Sequence, residues 1–171
     1  MQVVKNIFIS LFLVWFAFLL FMPKQELYYA LEAELVKQGV EINEKQIEEG
    51  IFSLSVKEAD IYVKGIHIAS VDEMQFFTLL FYSSLNIEVL KMDDSLKSFV
   101  PLEISKTVLM HSVLSPFEAF VTTMGSFGLA EGIVNLKKRT LRIDLIEVKE
   151  IKTFRSELKK DEKGWYYETS F

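Results

Sequence analysis

The 171-residue chain contains no cysteine, which excludes disulfides, thiolate metal sites and cysteine nucleophiles. It has no basic block either, and its net charge is −5. A duplex-binding surface needs clustered Lys and Arg, so nucleic acid is not an expected partner. Histidine is scarce: His67 and His111 are the two. Neither has a His, Asp or Glu beside it at ligand spacing, so no metal or other cofactor is expected. The sequence reads both as surface or satisfied core histidines, His67 on the strand face opposite Ile66 and Ile68, His111 on the face of Leu109.

Catalytic signatures are missing as well. Ser112 follows His111 without a nucleophile elbow around it. "GSFGLAEG" lacks the lysine and the strand-before-helix setting of a phosphate loop. Asp93 and Asp94 are adjacent, the mark of a solvated turn or helix start rather than of two carboxyls facing one pocket. The chain therefore reads as a protein that is not an enzyme.

What is present is apolar. Hydrophobic residues make up 50% and charged residues 25%, the balance of a globular body. From Ile7 to Met22 every residue but Ser10 is apolar. Sixteen helical residues cover about 24 Å against a hydrocarbon core of about 30 Å. Val3 and Val4 lengthen the run and Lys5 can snorkel, so a span in a slightly thinned bilayer is predicted. The exit, "LLFMPKQELYY", is bulky and lacks the small residues of a cleavage site, which favours a retained signal anchor over a cleaved leader. The short positive N-terminus favours N-inside, C-outside.

Three segments follow: 1–23, an N-terminal transmembrane signal anchor; 24–39, an amphipathic helix with Leu27, Leu31 and Leu35 recurring every four residues, Tyr28 adding to the stripe and Gly39 as its stop; and 40–171, a β-rich extracytoplasmic domain. Within the last, Phe52, Leu54 and Val56, then Ala59, Ile61 and Val63, then Ile66 and Ile68 alternate as strand faces, with Gly65 at a turn or bulge. "FFTLLFYSSL" breaks the alternation and reads as a short helix or buried loop; "NIEVLKM" is a strand and "DDSLKSFVP" a loop. "ISKTVLMHSVL", "FEAFVTTMG", "GLAEGIVNLKK" and "TLRIDLIEV" form an antiparallel meander, with "GSFG" as a tight turn. If Leu136 and Leu141 flank a four-residue turn, Val134 lies opposite Ile143 and Gly132 opposite Leu145, with Asn135 and Arg142 on the outer face. The end, "KKDEKGWYYETSF", is a charged turn and a short aromatic strand. The predicted fold is mainly β, with one transmembrane helix and one short amphipathic helix against a curved antiparallel sheet or meander.

Phe76, Phe77, Leu80 and Phe81 form an aromatic-rich cluster. They read either as core or as the wall of an apolar groove for a lipid chain or a partner segment.

The order of one N-terminal span, "LYYALEAEL…QGVEI", strands around "EADIYVKGIHIASV" and a Gly-bearing meander resembles the protein-N-like component of type II secretion and the wider AsmA-like group of bacterial inner-membrane proteins. The resemblance covers most of the chain. It implies a single-pass protein of the inner membrane with a periplasmic β-sheet body, acting without catalytic residues as a scaffold or assembly factor through other inner-membrane or periplasmic proteins, or in lipid handling. A chain of this size also fits an accessory of another envelope machine, of flagellar type.

Overall fold

The computed structural model describes residues 2–79, 81–94, 103–149, 155–162 and 164–171, without the side chain of Leu19. Helix α1 (Gln2–Leu20) is followed by a break at 21–23 and by helix α2 (Lys24–Lys37). The strands are β1 (Val40–Glu49), β2 (Ser53–Val63), β3 (Ile66–Leu79), β4 (Tyr82–Met92), β5 (Glu103–Ser112), β6 (Glu118–Gly125), β7 (Gly128–Asn135), β8 (Thr140–Val148), β9 (Lys159–Asp161) and β10 (Gly164–Ser170). They make one ten-stranded antiparallel sheet in the order β1-β2-β3-β4-β5-β6-β7-β8-β10-β9. Nearly every strand lies beside its neighbours in the chain, the cheapest way to close short loops.

Among the described residues no helix is long and apolar enough to cross a membrane, so the predicted span is not shown. Helix α1 carries Gln2, Lys5 and Asn6 in its first turns and stops at Leu20, two residues before the apolar run ends. Its unbroken apolar part, Ile7–Leu20 apart from Ser10, covers about 21 Å at about 1.5 Å per residue. Large apolar side chains are nevertheless exposed all round it, among them Ile7, Phe8, Leu11, Phe12 and Val14.

Helix α2 starts after Pro23, whose carbonyl accepts from Leu27 N–H at 3.1 Å. It ends at Gly39, whose φ of +80° only glycine adopts freely. Of the predicted stripe of Leu27, Tyr28, Leu31 and Leu35, only Tyr28 is buried. Tyr28 is 5% exposed, whereas Leu27 and Leu31 are 51% and 50% exposed. The Tyr28 ring fills the space over β2 and β3, and Leu27 and Leu31 stay half exposed at the edge of the same face.

Beneath Tyr28 lie Leu54, Val56, Ala59, Val71 and Met74, the first core, with Ile42, Ile47, Phe76 and Leu85 packed around them. A line of interrupted pairing crosses this half of the sheet. The ladders skip Lys45 and Glu58, then Asp72, Val89 and Ser105. Glu58 (φ 48°) and Val89 (φ 50°) take left-handed backbone there. Each strand thereby changes phase: Leu54 and Val56 precede the line on β2, Ala59 and Ile61 follow it, and all face the core.

The second core is Phe127, Ala130 and Leu145, ringed by Ile104, Ile143, Leu158 and Trp165. The Gly125–Gly128 turn folds Phe127 inward. Gly128 (φ +105°) lies so close to β8 that an added Cβ would sit 1.8 Å from the Glu147 carbonyl oxygen. On the outer face Arg142 joins three strands, donating to Asp144 at 2.7 Å and Asp161 at 2.6 Å and lying 4.1 Å over the Tyr166 ring.

Three sequence expectations are corrected. "FFTLLFYSSL" is neither helix nor buried loop: β3 runs to Leu79 and β4 begins at Tyr82, so it is a hairpin apex. The β7–β8 turn is 136–139, which sets Val134 against Leu141 and Gly132 against Ile143. That register is two residues from the predicted one. An even shift preserves the faces, so Val134 and Ile143 still point inward and Arg142 outward. Finally, β1 was not anticipated as a strand; "VEINEKQIEE" is too charged to show one apolar face. Most of the loop "DDSLKSFVP" lies outside the described residues.

Candidate functional site

Two constellations stand out. The first is an apolar groove where the end of α1, the start of α2 and the sheet meet. Its volume is about 190 Å³, and its walls are Met22, Leu27, Tyr28, Leu31, Phe52, Leu54 and Phe76, with Lys24 and Thr78 at the rim. Each element brings its part for a local reason. The break at Pro23 turns the chain so that Met22 and Lys24 face β2, and the period of two along β2 and β3 aligns Leu54 with Phe76 as direct partners. Lys24 Nζ is held at 3.3 Å from Glu49 Oε1. Deeper in, Tyr28 donates to Glu44 Oε2 at 3.3 Å. Burial, then the Glu44 and Glu32 carboxylates, push the Tyr28 phenol well above its ordinary value. Burial and the neighbouring Glu44 also raise Glu32. The groove is thus a place for apolar atoms, bordered by the Lys24–Glu49 ion pair on one side and by the Glu32 and Glu44 carboxylates on the other.

Of the residues predicted for such a groove, the structure brings in only Phe76. Phe77 is on the opposite face, 6.4 Å from the Tyr82 ring. Phe81 is at the β3–β4 turn, stacked on Trp15 at 5.8 Å. Leu80 lies outside the described residues. The sequence missed Tyr28 and Phe52 as walls. The signal for Tyr28 was the break between an apolar run and a helix; none marked the pairing of Phe52 with Phe16, whose rings are 6.4 Å apart.

The second constellation is polar and was not anticipated. His67 Nδ1 is 2.8 Å from Asp93 Oδ2, and its Nε2 is 3.2 Å from Ser70 Oγ and 3.5 Å from Asp60 Oδ1. Ser, His and Asp in that order invite comparison with a hydrolase triad. The hydroxyl, however, donates to Asp60 at 2.6 Å, so its proton is directed away from the imidazole. The hydrogen bond to Asp93 first, then the Asp60 charge, raise the His67 pKa. An imidazole held between two carboxylates favours the protonated form and is a poor general base. The arrangement fastens β2, β3 and the end of β4 to one another. His111 sits elsewhere, 3.3 Å from the Pro116 carbonyl oxygen. Among the described residues no group of three or more His, Asp or Glu side chains is arranged so that it could hold a metal ion.

Compared with known proteins, the chain matches no protein-family model, no curated protein and no solved structure.

Proposed function

We propose that the chain is a non-enzymatic accessory or assembly factor of a bacterial envelope machine, of secretion-system or flagellar type. It is held in the inner membrane by α1, with its sheet in the periplasm, and it works through protein–protein contacts. One observation carries this reading: α1 exposes large apolar side chains on every side, a surface that water disfavours and lipid accepts. The span itself would need Val3, Val4 and a snorkelling Lys5, or a thinned bilayer, to make up its length. The likeness in element order to type II secretion protein-N-like and AsmA-like proteins supports the same reading. So does the polar cluster at His67, whose proton arrangement suits fastening rather than nucleophilic attack. In cells, the protein should stay with membranes through alkaline carbonate washing and crosslink through its sheet to other envelope proteins. Release by carbonate would remove the anchor, and a body that crosslinks to nothing would remove the scaffold role.

The groove favours a second reading, a lipid-handling module of AsmA-like type, because its walls are almost wholly apolar and it opens beside α1. Native mass spectrometry of detergent-purified protein would then retain phospholipid, and Phe76→Asp would abolish it.

A further inference from the structure

In an antiparallel meander alternate turns share one end of the sheet. The turns between β1 and β2, β3 and β4, β5 and β6, and β7 and β8 therefore lie together. Along that end Ile51, Phe81, Val113, Leu114, Phe117 and Leu136 are exposed, Leu114 by 89%. Six large apolar side chains on turns, where polar residues are the rule, form a fringe rather than scattered exceptions. The described turns of the opposite end differ: they carry Lys64, Gly65, Asp93, Asp94, Ser126 and a Phe127 that is folded into the core, and the exposed apolar residues there, Ile66, Met124 and Val148, lie on strands.

Helix α1 arrives at the fringed end. Trp15 stacks on Phe81 and Phe16 meets Phe52. Trp15 precedes the helix end at Leu20 by five residues, roughly 7–8 Å along the axis. The turn that carries Phe81 is thus level with the apolar part of α1, not beyond it. Charge points the same way, since Lys137, Lys138 and Arg139 follow Leu136 in the β7–β8 turn and are all exposed.

We propose that this end of the sheet is a membrane-docking edge, its apolar turns inserted in the interface of an anionic bilayer and its Lys137–Arg139 cluster against lipid phosphates. This rests on the anchoring by α1 proposed above and adds to it a second contact and a fixed posture: the strands stand end-on to the bilayer. Apolar side chains on such an edge reach about 5–10 Å into the headgroup and acyl boundary, and each nearby cation adds attraction to anionic lipid.

Because the chain has no cysteine, single labels can be placed without background. The full chain is reconstituted into phosphatidylethanolamine–phosphatidylglycerol vesicles with a fluorophore on Phe8→Cys, Leu114→Cys, Phe117→Cys or Lys64→Cys, and lipid-borne nitroxides serve as quenchers. Labels at Phe8, Leu114 and Phe117 should be quenched and blue-shifted, and the label at Lys64 should not. Adding Lys137→Glu with Lys138→Glu should reduce quenching at Leu114 and leave Phe8 unchanged. If Phe8 is quenched while Leu114 and Phe117 behave like Lys64, the docking edge is wrong and the anchor stands. If Phe8 is not quenched, the anchor fails and the edge with it.

Discussion

Glu32 and Glu44 face the same buried phenol, and the cost of that crowding falls on Glu32. Its carboxyl is raised by burial and by Glu44, so the folded state binds a proton more tightly than the unfolded chain does. Stability therefore falls as pH rises from the ordinary value of 4.5 through the raised one. Glu32→Gln should remove that slope and stabilise the fold near neutrality by up to about 0.5 kcal/mol. Urea midpoints of both proteins at acid and neutral pH would show it; a destabilised Gln variant would mean that Glu32 holds something more than its own charge. The sign at His67 is the same, in a higher pH window, but here the charged form is the one that the fold favours. Its folded pKa lies above the ordinary 6.5, so its contribution is complete below about that pH and is lost as pH rises through the folded value. Facing it are Asp60 and Tyr62 on β2 and Asp93 at the end of β4, with Lys91 beside Ser70 on the next strand. Asp93→Asn should lower the His67 pKa, read by imidazole proton shifts, and weaken the pH dependence of stability above the ordinary 6.5, with Asp60 sustaining the remainder. An unmoved titration would show that Asp93 is not its partner in solution.

At the scale of the element, the β7–β8 hairpin separates what a sequence reveals from what it hides. The faces were legible because Val134, Leu141, Ile143 and Leu145 alternate cleanly. The register was not, because apolar alternation is blind to a shift of two; the turn decides it. Leu136 looked like a strand residue, yet it lies in the turn, where Asn135 Oδ1 accepts from Lys138 N–H at 2.8 Å. That bond, with the 3.2 Å bond from Asn135 Nδ2 to Glu118, also makes Asn135 more than an outer-face residue. Paired cysteines can decide between the two registers. Val134→Cys with Leu141→Cys should form a disulfide on mild oxidation, since direct partners lie about 4.5–5.5 Å apart at Cα. Val134→Cys with Ile143→Cys should not. The reverse result would restore the register that the sequence suggested. A similar division holds on β2. The step from Val56 to Ala59 was visible as a change of phase, but only the neighbouring strands show that it belongs to a line running from Lys45 to Ser105. Long-range alignment of irregularities leaves no local pattern, and neither did the approach of His67 to Asp93, 26 residues away.

At the scale of the molecule, the sheet joins two cores that share no buried residue: one around Tyr28, Val56 and Met74, the other around Phe127, Ala130 and Leu145. Among the described residues the strands make their extensive contacts with immediate neighbours, as the repeats of a solenoid do, so cooperativity must pass from strand to strand. A mainly β meander was readable because each strand needs only a local alternation and a turn. The two cores were not: Tyr28 was legible on the apolar stripe of α2, but nothing local shows which strands it covers, and Phe127 looks like a turn residue. This separation has a measurable consequence. Met74→Ala and Leu145→Ala each delete buried atoms and should each cost about 2–5 kcal/mol. Their effects should add to within about 0.5 kcal/mol, because no shared partner couples them. Hydrogen exchange should be the sharper measure. Leu145→Ala should speed amide exchange in β7, β8 and β10 while β2 and β3 keep their protection, and Met74→Ala should do the opposite. Exchange that rises equally over all ten strands in either variant would show a single cooperative unit, and the sheet would then transmit stability across its middle far better than neighbour-only contacts allow.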